Sequence, residues 1–124
     1  MQPADKAKAR QHLQPENAQH PLVQLLLQEK IDEFNARRAA GETCDCSGVL
    51  FRGLDLRGMQ VAGISFKDAY FRGADIRGVD FRQCNLEGVS MAEAKISGSY
   101  FPKQLSAAEI RLSVERGTRM RYSG

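Results

Sequence analysis

Residues 44–103 read CDCSG VLFRG LDLRG MQVAG ISFKD AYFRG ADIRG VDFRQ CNLEG VSMAE AKISG SYFPK, which are twelve successive groups of five. The third residue of every quintet is apolar, and the first residue is small or apolar. All fifteen charged side chains of this stretch occupy the other three positions. An α-helix buries residues at a period of about 3.6 and a strand at a period of about 2, so neither explains two inward residues in every five.

Glycine marks the ends of the quintets. Eight of the twelve end in glycine, namely Gly48, Gly53, Gly58, Gly63, Gly73, Gly78, Gly88 and Gly98. Glycine is favoured where the backbone adopts a conformation that a Cβ atom would penalise, as at tight turns. The spacing therefore predicts that the chain turns a corner every five residues.

Four quintets, ADIRG, LDLRG, VDFRQ and CNLEG, match the pattern A(D/N)Lxx. On these residues the chain resembles the pentapeptide-repeat family. The resemblance implies an all-β solenoid: a right-handed quadrilateral β-helix of about three coils, with four quintets per coil and the first and third residues inside. Large first-position residues, Leu54, Met59 and Ile64, depart from the family pattern around the first coil. We therefore expect that coil to be wider or less regular.

The flanks of the repeats are expected to cover the two ends of the solenoid, because open ends expose apolar side chains and unpaired backbone groups. The sequence predicts a mobile polar tail over residues 1–19 and a capping helix over 20–41. The β-helix then spans 44–103, and a second capping helix with a basic tail spans 104–124. Apolar residues at helical spacing predict the first helix: Val23, Leu26, Leu27, Ile31 and Phe34.

The second helix is predicted from a capping box formed by Ser106 and Glu109, and it should end at Gly117. Four arginines lie in or after this helix: Arg111, Arg116, Arg119 and Arg121. Such a tail can contact phosphates. The alternative is that it pairs with Glu87 or Glu93 and seals the end of the rod, and both interpretations stay open at this point.

Length and composition exclude several classes of protein. The chain has 124 residues, enough for one domain, and 18 basic against 15 acidic side chains leave a net charge of +3. Its longest apolar stretch, residues 22–27, is far shorter than a membrane span. The N-terminus has no apolar core of a secretory signal, and three cysteines are too few for a disulfide scaffold. We expect a cytoplasmic protein.

Cys44 and Cys46 suggest a redox or metal pair at first sight. However, they occupy the first and third positions of the opening quintet, where both should point inward and act as small hydrophobic residues. Cys84 is 40 residues after Cys44, two coils away and too far for a disulfide. We expect all three thiols to be reduced and slow to react, with no metal bound.

Catalytic groups are not evident. Of the two histidines, His12 lies in the polar tail and His20 precedes Pro21, where it is expected to start the helix. Phosphate-binding loops, HExxH pairs and CxxC sets are missing from the sequence. The interior should be filled by its own side chains, which leaves no substrate cavity. We expect no enzyme activity, no cofactor, no bound metal and no small-molecule substrate.

The outward residues form the candidate binding surface. Residues twenty apart should stack, which aligns Arg52 with Arg72 and Arg57 with Arg77, and places Tyr70 beside the first pair. These five residues are the predicted protein-binding site, because arginine and tyrosine are common at interface hot spots. The alternative is a solvated face in which arginines pair with neighbouring aspartates.

The sequence thus predicts a non-catalytic protein-interaction or scaffold module with an unidentified protein partner. Neither a membrane nor a nucleic acid is expected to bind, and a weak homodimer through an end or a face is left open. The family resemblance also implies an alternative, a DNA-mimicking modulator of a type II topoisomerase. Residues 44–103 carry eight positive and seven negative charges, whereas imitation of DNA requires a strongly negative rod, so charge and length disfavour this alternative.

Overall fold

The computed structural model describes residues 14–123 of the chain. Its helices are a 3₁₀ helix at Glu16–Gln19, α1 at Pro21–Leu27, α2 at Ile31–Ala39 and α3 at Ala107–Arg116. All the helices of this part of the chain lie outside the quintets, as the five-residue pattern requires.

Backbone hydrogen bonds connect each of the first eight quintets to the quintet one coil later. The N–H of Phe51 donates to the carbonyl of Tyr70 at 2.7 Å, and the N–H of Tyr70 donates to the carbonyl of Val49 at 3.0 Å. The N–H of Phe71 donates to Ser90 at 2.9 Å in the same way. Six parallel bridges each join residues 20 positions apart. Four quintets therefore make one coil, and successive coils stack in register.

Pairing within residues 14–123 takes the form of isolated bridges, and no extended strand is formed there. The cause is the frequency of the corners. All eight glycines that end a quintet have positive φ, and Asp68 (φ 61°) and Glu93 (φ 58°) adopt the same conformation without being glycine. A backbone that turns every five residues leaves only one or two residues per side in extended pairing.

The interior is filled by the side chains at the third position. They are buried from residue 46 to residue 91 and half-buried at Ile96 and Phe101, the last two of the series. The ring of Phe51 stacks on that of Phe71 with centroids 5.1 Å apart, and Phe66 packs against Phe71 at 5.5 Å. Such contacts add about 0.5–1.5 kcal/mol per pair to the burial of the rings.

The continuous helix expected over 20–41 is instead the two helices α1 and α2. Glu29 lies between them with φ 59°, and the N–H of Lys30 donates to the carbonyl of Leu25 at 2.8 Å. This is a Schellman-type termination, in which a glutamate holds the left-handed position that glycine usually takes. The prediction missed the break because neither glycine nor proline marks it.

His20 begins α1 as predicted, since its Nδ1 accepts a hydrogen bond from the N–H of Leu22 at 3.1 Å. Residues 14–19 differ from the expected mobile tail. Ala18 is fully buried, and the Asn17 amide donates to the carbonyls of Asp45 and Ser47 at 2.8 and 2.9 Å. These contacts attach the segment to the first coil. The rest of the predicted tail, residues 1–13, lies outside the described residues.

Side chains from the N-terminal segment satisfy the backbone at the rim of the first coil. The Gln14 amide both donates to and accepts from the backbone of Leu50, each at 2.8 Å, as a neighbouring strand would. The Asn35 amide donates to the carbonyl of Gly58 and accepts from the N–H of Gln60, both at 2.9 Å. Unpaired edge groups are an aggregation hazard in solenoids, so these amides explain how the end of the rod is protected.

At the opposite end, Ser106 caps α3 by accepting from the N–H of Glu109 at 3.1 Å, and Gly117 (φ 74°) terminates the helix. The buried hydroxyl of Ser113 accepts from the N–H of Met91 at 2.8 Å. The following segment then runs antiparallel to the last coil, where the N–H of Met120 donates to Val89 at 2.9 Å. The segment after α3 thus supplies part of the missing next coil.

One side of the first coil lacks the regular ladder of hydrogen bonds. Within residues 14–123, the N–H of Val61 has no acceptor, although the pattern places the carbonyl of Asp80 there, and the bond from Asp80 N–H to the Met59 carbonyl is not formed either. Gly63 donates to Gln83, one residue beyond the regular partner, at 3.0 Å. The predicted irregularity of the first coil is therefore confirmed on this side.

Side chains from elsewhere in the chain bind the backbone carbonyls of this open side. Arg38 of α2 donates to the carbonyls of Gln60, at 3.2 Å, and Ala62, which draws this stretch toward the N-terminal helices. The Cys84 thiol donates to the carbonyl of Val61 at 3.1 Å, which occupies an acceptor of the same quintet.

Candidate interaction faces

Arg57 and Arg77 stack one coil apart, as predicted, and both form ion pairs. Arg57 contacts Asp55 at 2.7 Å and Asp75 at 3.4 Å, and Arg77 contacts Asp75 at 2.6 Å. The hydrogen bond from Arg77 lowers the pKa of Asp75 to about 2, against an opposing effect of desolvation. The charges alternate along this face, so it has little net charge to offer a partner.

Arg52 and Arg72 lie on the neighbouring side with a different environment. Both side chains are exposed, and no carboxylate among residues 14–123 lies within 4.0 Å of either guanidinium group. Their backbones are joined by a hydrogen bond of 2.8 Å from Gly53 N–H to the carbonyl of Arg72. This side therefore presents two unneutralised positive charges on a backbone held by the ladder.

Tyr70, predicted to be an exposed hot-spot residue on that side, is partly covered by the C-terminal segment. The guanidinium of Arg119 lies 5.0 Å from the centre of its ring and donates a hydrogen bond to its hydroxyl group. The same arginine pairs with Asp68 at 3.3 Å. The tyrosine is half-buried, so it contributes an edge to the face and not a free side chain.

Of the two interpretations of the basic tail, these contacts favour the seal. Met120 is fully buried, and the N–H of Tyr122 donates to the carboxylate of Glu87 at 2.7 Å. The Tyr122 hydroxyl accepts from the N–H of Leu86 at 2.8 Å. Glu87 was one of the two predicted partners of the tail arginines, but its carboxylate accepts from the backbone N–H of Tyr122. The arginine of the tail that forms an ion pair is Arg119, and its partner is Asp68.

Sequence reasoning missed a second aromatic and basic pair. The guanidinium of Arg82 lies 4.7 Å from the centre of the Tyr100 ring and also contacts Asp80 at 2.8 Å. Tyr100 is 55% exposed, the largest value among the large hydrophobic side chains of the described residues. The signal was available, because Tyr100 stacks 20 residues after Asp80 and therefore beside Arg82.

The cysteines divide into different environments. Cys46 and Cys84 are buried, as predicted for inward residues, but Cys44 is only half-buried, which corrects the expectation for the first position. The first quintet starts at Cys44, so a neighbouring coil lies on one side of this residue and not on the other. Within residues 14–123, no three side chains of His, Cys, Asp and Glu come together as metal ligands.

The open side of the first coil forms a surface cavity of about 390 Å³. It is lined by Gly58, Met59, Gln60, Val61, Ala62, Gly78, Val79, Asp80 and Gln83. Asp80 provides the charged side chain of this lining, and it is bound to Arg82. Acid–base or nucleophilic chemistry requires a second positioned group, and this lining supplies no such partner.

The family model of pentapeptide repeats matches residues 44–83 and 64–101, with eight copies. The chain is a pentapeptide-repeat protein, as its quintets indicated. No curated protein and no solved structure matches it. In the part of the chain that the structure describes, the helices are too short and too polar to span a bilayer.

Proposed function

We propose that this chain is a non-catalytic protein-interaction module in which a right-handed quadrilateral β-helix of about three coils presents a rigid face to another protein. The observation that carries the proposal is the pair Arg52 and Arg72, which is exposed and has no carboxylate partner among residues 14–123, on a backbone held by inter-coil hydrogen bonds. A rigid binding surface loses little conformational entropy on association. Its positive charge suits an acidic surface on the partner.

The charge pattern supports this function over that of a DNA mimic. On the other sides of the rod, Arg57, Arg77 and Arg82 each lie beside an aspartate. DNA carries about one negative charge per 1.7 Å, and a surface on which every such aspartate is neutralised by an arginine does not reproduce that density.

The proposal is tested by affinity capture from the native cell, with the intact chain and with an Arg52→Ala/Arg72→Ala variant. A matched control, Lys67→Ala/Lys103→Ala, removes the same charge from exposed positions on other parts of the surface. We expect a partner that is retained by the wild type and the control and lost by the arginine variant, while circular dichroism shows all three folded. If all three proteins capture the same partners equally, the side with Arg52 and Arg72 is a solvated surface and not a binding site.

A further inference from the structure

Two thiol groups meet at the start of the first coil. The Sγ atoms of Cys44 and Cys46 are 3.8 Å apart, within hydrogen-bonding distance for sulfur. Cys44 is half-buried and Cys46 is fully buried. A reagent from solvent can therefore reach the first sulfur and not the second, while the second sulfur can reach the first.

The surroundings give the two sulfurs different chemistry. The hydrogen bond between the two sulfurs lowers the pKa of Cys44 against the opposing effect of desolvation, and the positive charge of Arg38 also lowers it. The same hydrogen bond, together with burial, raises the pKa of Cys46. The thiolate is the nucleophilic form of cysteine, so the accessible sulfur is also the activated one.

Cys84 provides an internal comparison. Burial raises its pKa to about 12, and its thiol donates to the carbonyl of Val61 at 3.1 Å. This sulfur is neither accessible nor activated. The chain therefore carries one candidate nucleophile, one adjacent second thiol and one inert thiol.

The sequence led us to expect three slow thiols, but that expectation assumed an inward, buried Cys44, which is half-buried in the structure. We propose instead that Cys44 and Cys46 form a reactive dithiol that undergoes thiol–disulfide exchange with low-molecular-weight disulfides, with Cys44 as the nucleophile and Cys46 as the resolving thiol. This site is independent of the arginine face. Cys46 lies in the packed interior, so the disulfide reagent must be small and must offer its sulfur to Cys44 at the surface.

The exchange proceeds in two balanced steps. The Cys44 thiolate attacks one sulfur of the disulfide RSSR, and the S–S bond of that molecule breaks. One RS group stays bonded to Cys44 as a mixed disulfide, and the other departs as RS⁻. Cys46 then gives its proton to the released thiolate or to solvent and attacks the sulfur of Cys44, which expels the second RS⁻. The protein dithiol is oxidised by two electrons and RSSR is reduced to two thiols. The 3.8 Å separation must shorten to about 2.05 Å for the new bond.

The probe is 5,5′-dithiobis(2-nitrobenzoic acid) added to the reduced, folded chain, with release of the coloured thiol followed by absorbance and the product by intact mass. We expect two equivalents of coloured thiol, no retained adduct and a protein lighter by two hydrogen atoms. Peptide mapping then places the disulfide between Cys44 and Cys46.

Three variants separate the roles. Cys84→Ala should behave as the wild type, Cys46→Ala should release one equivalent and keep the adduct, and Cys44→Ser should lose the rapid reaction. Cys44 is half-buried, so its replacement by serine is expected to leave the fold intact, and the wild-type mapping does not depend on any variant. A wild-type protein that retains one adduct on Cys44, or whose Cys44 reacts no faster than Cys84, would overturn the proposal.

Discussion

At the scale of single residues, Phe71 has the largest predicted effect on stability. It is fully buried and packs against Phe51, Phe66 and Phe81, with centroids 5.1 to 6.0 Å away. Phe71→Ala should lower the free energy of unfolding by about 3–5 kcal/mol because it leaves a cavity in the middle coil. The midpoint of thermal unfolding should fall by more than about 10 °C.

The matched control is Phe101→Ala in the last coil, where the ring is half-buried and packs against Phe81 alone among the phenylalanines of the described residues. Its loss should be clearly smaller. If the midpoint of thermal unfolding of Phe71→Ala lies within about two or three degrees of that of the wild type, Phe71 does not pack in the interior as described.

A substitution at Glu93 is expected to have the opposite effect, a gain in stability. Glu93 occupies a corner position that is glycine in most other quintets. Its φ is 58°, and this left-handed conformation costs a residue with a Cβ atom roughly 1–2 kcal/mol. Glu93→Gly removes that cost but adds about 0.5–1 kcal/mol of backbone entropy in the unfolded chain. We expect a net stabilisation of up to about 1 kcal/mol, measured by urea denaturation.

For comparison, Glu115→Gly changes the same residue type within α3, where the backbone is helical. It should destabilise by about 1 kcal/mol. If both variants destabilise equally, the relief of left-handed strain at residue 93 does not outweigh the entropy that glycine adds to the unfolded chain.

At the scale of elements, the N-terminal helices are expected to act as a structural cap and not as a detachable arm. Deleting residues 1–40 removes the side chains that bind the rim of the first coil, including those of Gln14, Glu29 and Asn35. The truncated protein should aggregate, or dimerise through the bared end, because unpaired edge groups and apolar side chains become exposed. Light scattering measures the oligomeric state, and calorimetry measures the melting temperature. If the truncated protein is monomeric and its melting temperature is unchanged, the N-terminal helices are not a structural cap.

A milder variant tests the same contacts without removing the element. Asn35→Ala leaves the carbonyl of Gly58 and the N–H of Gln60 without their side-chain partner. Both hydrogen bonds are exposed to solvent, so we expect a loss of about 0.5–1.5 kcal/mol with the protein still monomeric. Gln28→Ala, an exposed change at the end of α1, is the control and should change the stability by less than about 0.5 kcal/mol.

The ion pairs of Asp75 with Arg77 and of Asp80 with Arg82 predict a loss of stability in acid. Hydrogen bonds from Arg77 and Arg82 lower the pKa values of Asp75 and Asp80 to about 2. A carboxyl whose pKa is lower in the folded state stabilises the fold above its unfolded pKa. That stabilisation is lost as the pH falls from about 4 toward 2.

An Asp75→Asn/Asp80→Asn variant should therefore be less stable than the wild type near neutral pH, and the difference should narrow by pH 2. Urea denaturation at several pH values measures it, with Asp32→Asn on α2 as the control. If the free energy of unfolding of the variant and of the wild type changes with pH in the same way over this whole pH range, the two aspartates do not have the lowered pKa values assigned to them.

At the scale of the whole molecule, the rod is not equally stable along its axis. The side of the first coil at Val61 lacks the inter-coil bonds that the equivalent side of the next coil has, where Phe81 N–H donates to Tyr100 at 2.8 Å. Amides outside the ladder open with a lower free energy than amides within it. By hydrogen exchange, Val61 and Asp80 should lose their protons at least about tenfold faster than Phe81 and Phe71. Equal protection of all four would mean that the ladder closes on this side in solution.

Much of this architecture is readable without coordinates because each quintet repeats one local rule. Two inward positions, an apolar third residue and a glycine corner determine which side chains are buried, and they also place Arg52 over Arg72 and Arg57 over Arg77. The cap at Ser106 and the helix start at His20 depend on neighbours within three residues, so they too were predicted. The reciprocal half of the predicted capping box is not formed, because the Glu109 carboxylate accepts from the N–H of Arg121.

Only the tertiary structure decided the features that join distant segments. Arg119 covers Tyr70 across 49 positions, Gln14 pairs with Leu50 across 36, and Arg38 binds the carbonyls of Gln60 and Ala62 on the open side of the first coil. The ends of a solenoid have no repeat to continue, so their contacts come from whichever flanking side chains reach them. The five-residue pattern contains no information about those flanks, and this is why the exposed half of Cys44 and the covered half of Tyr70 appear only in the folded chain.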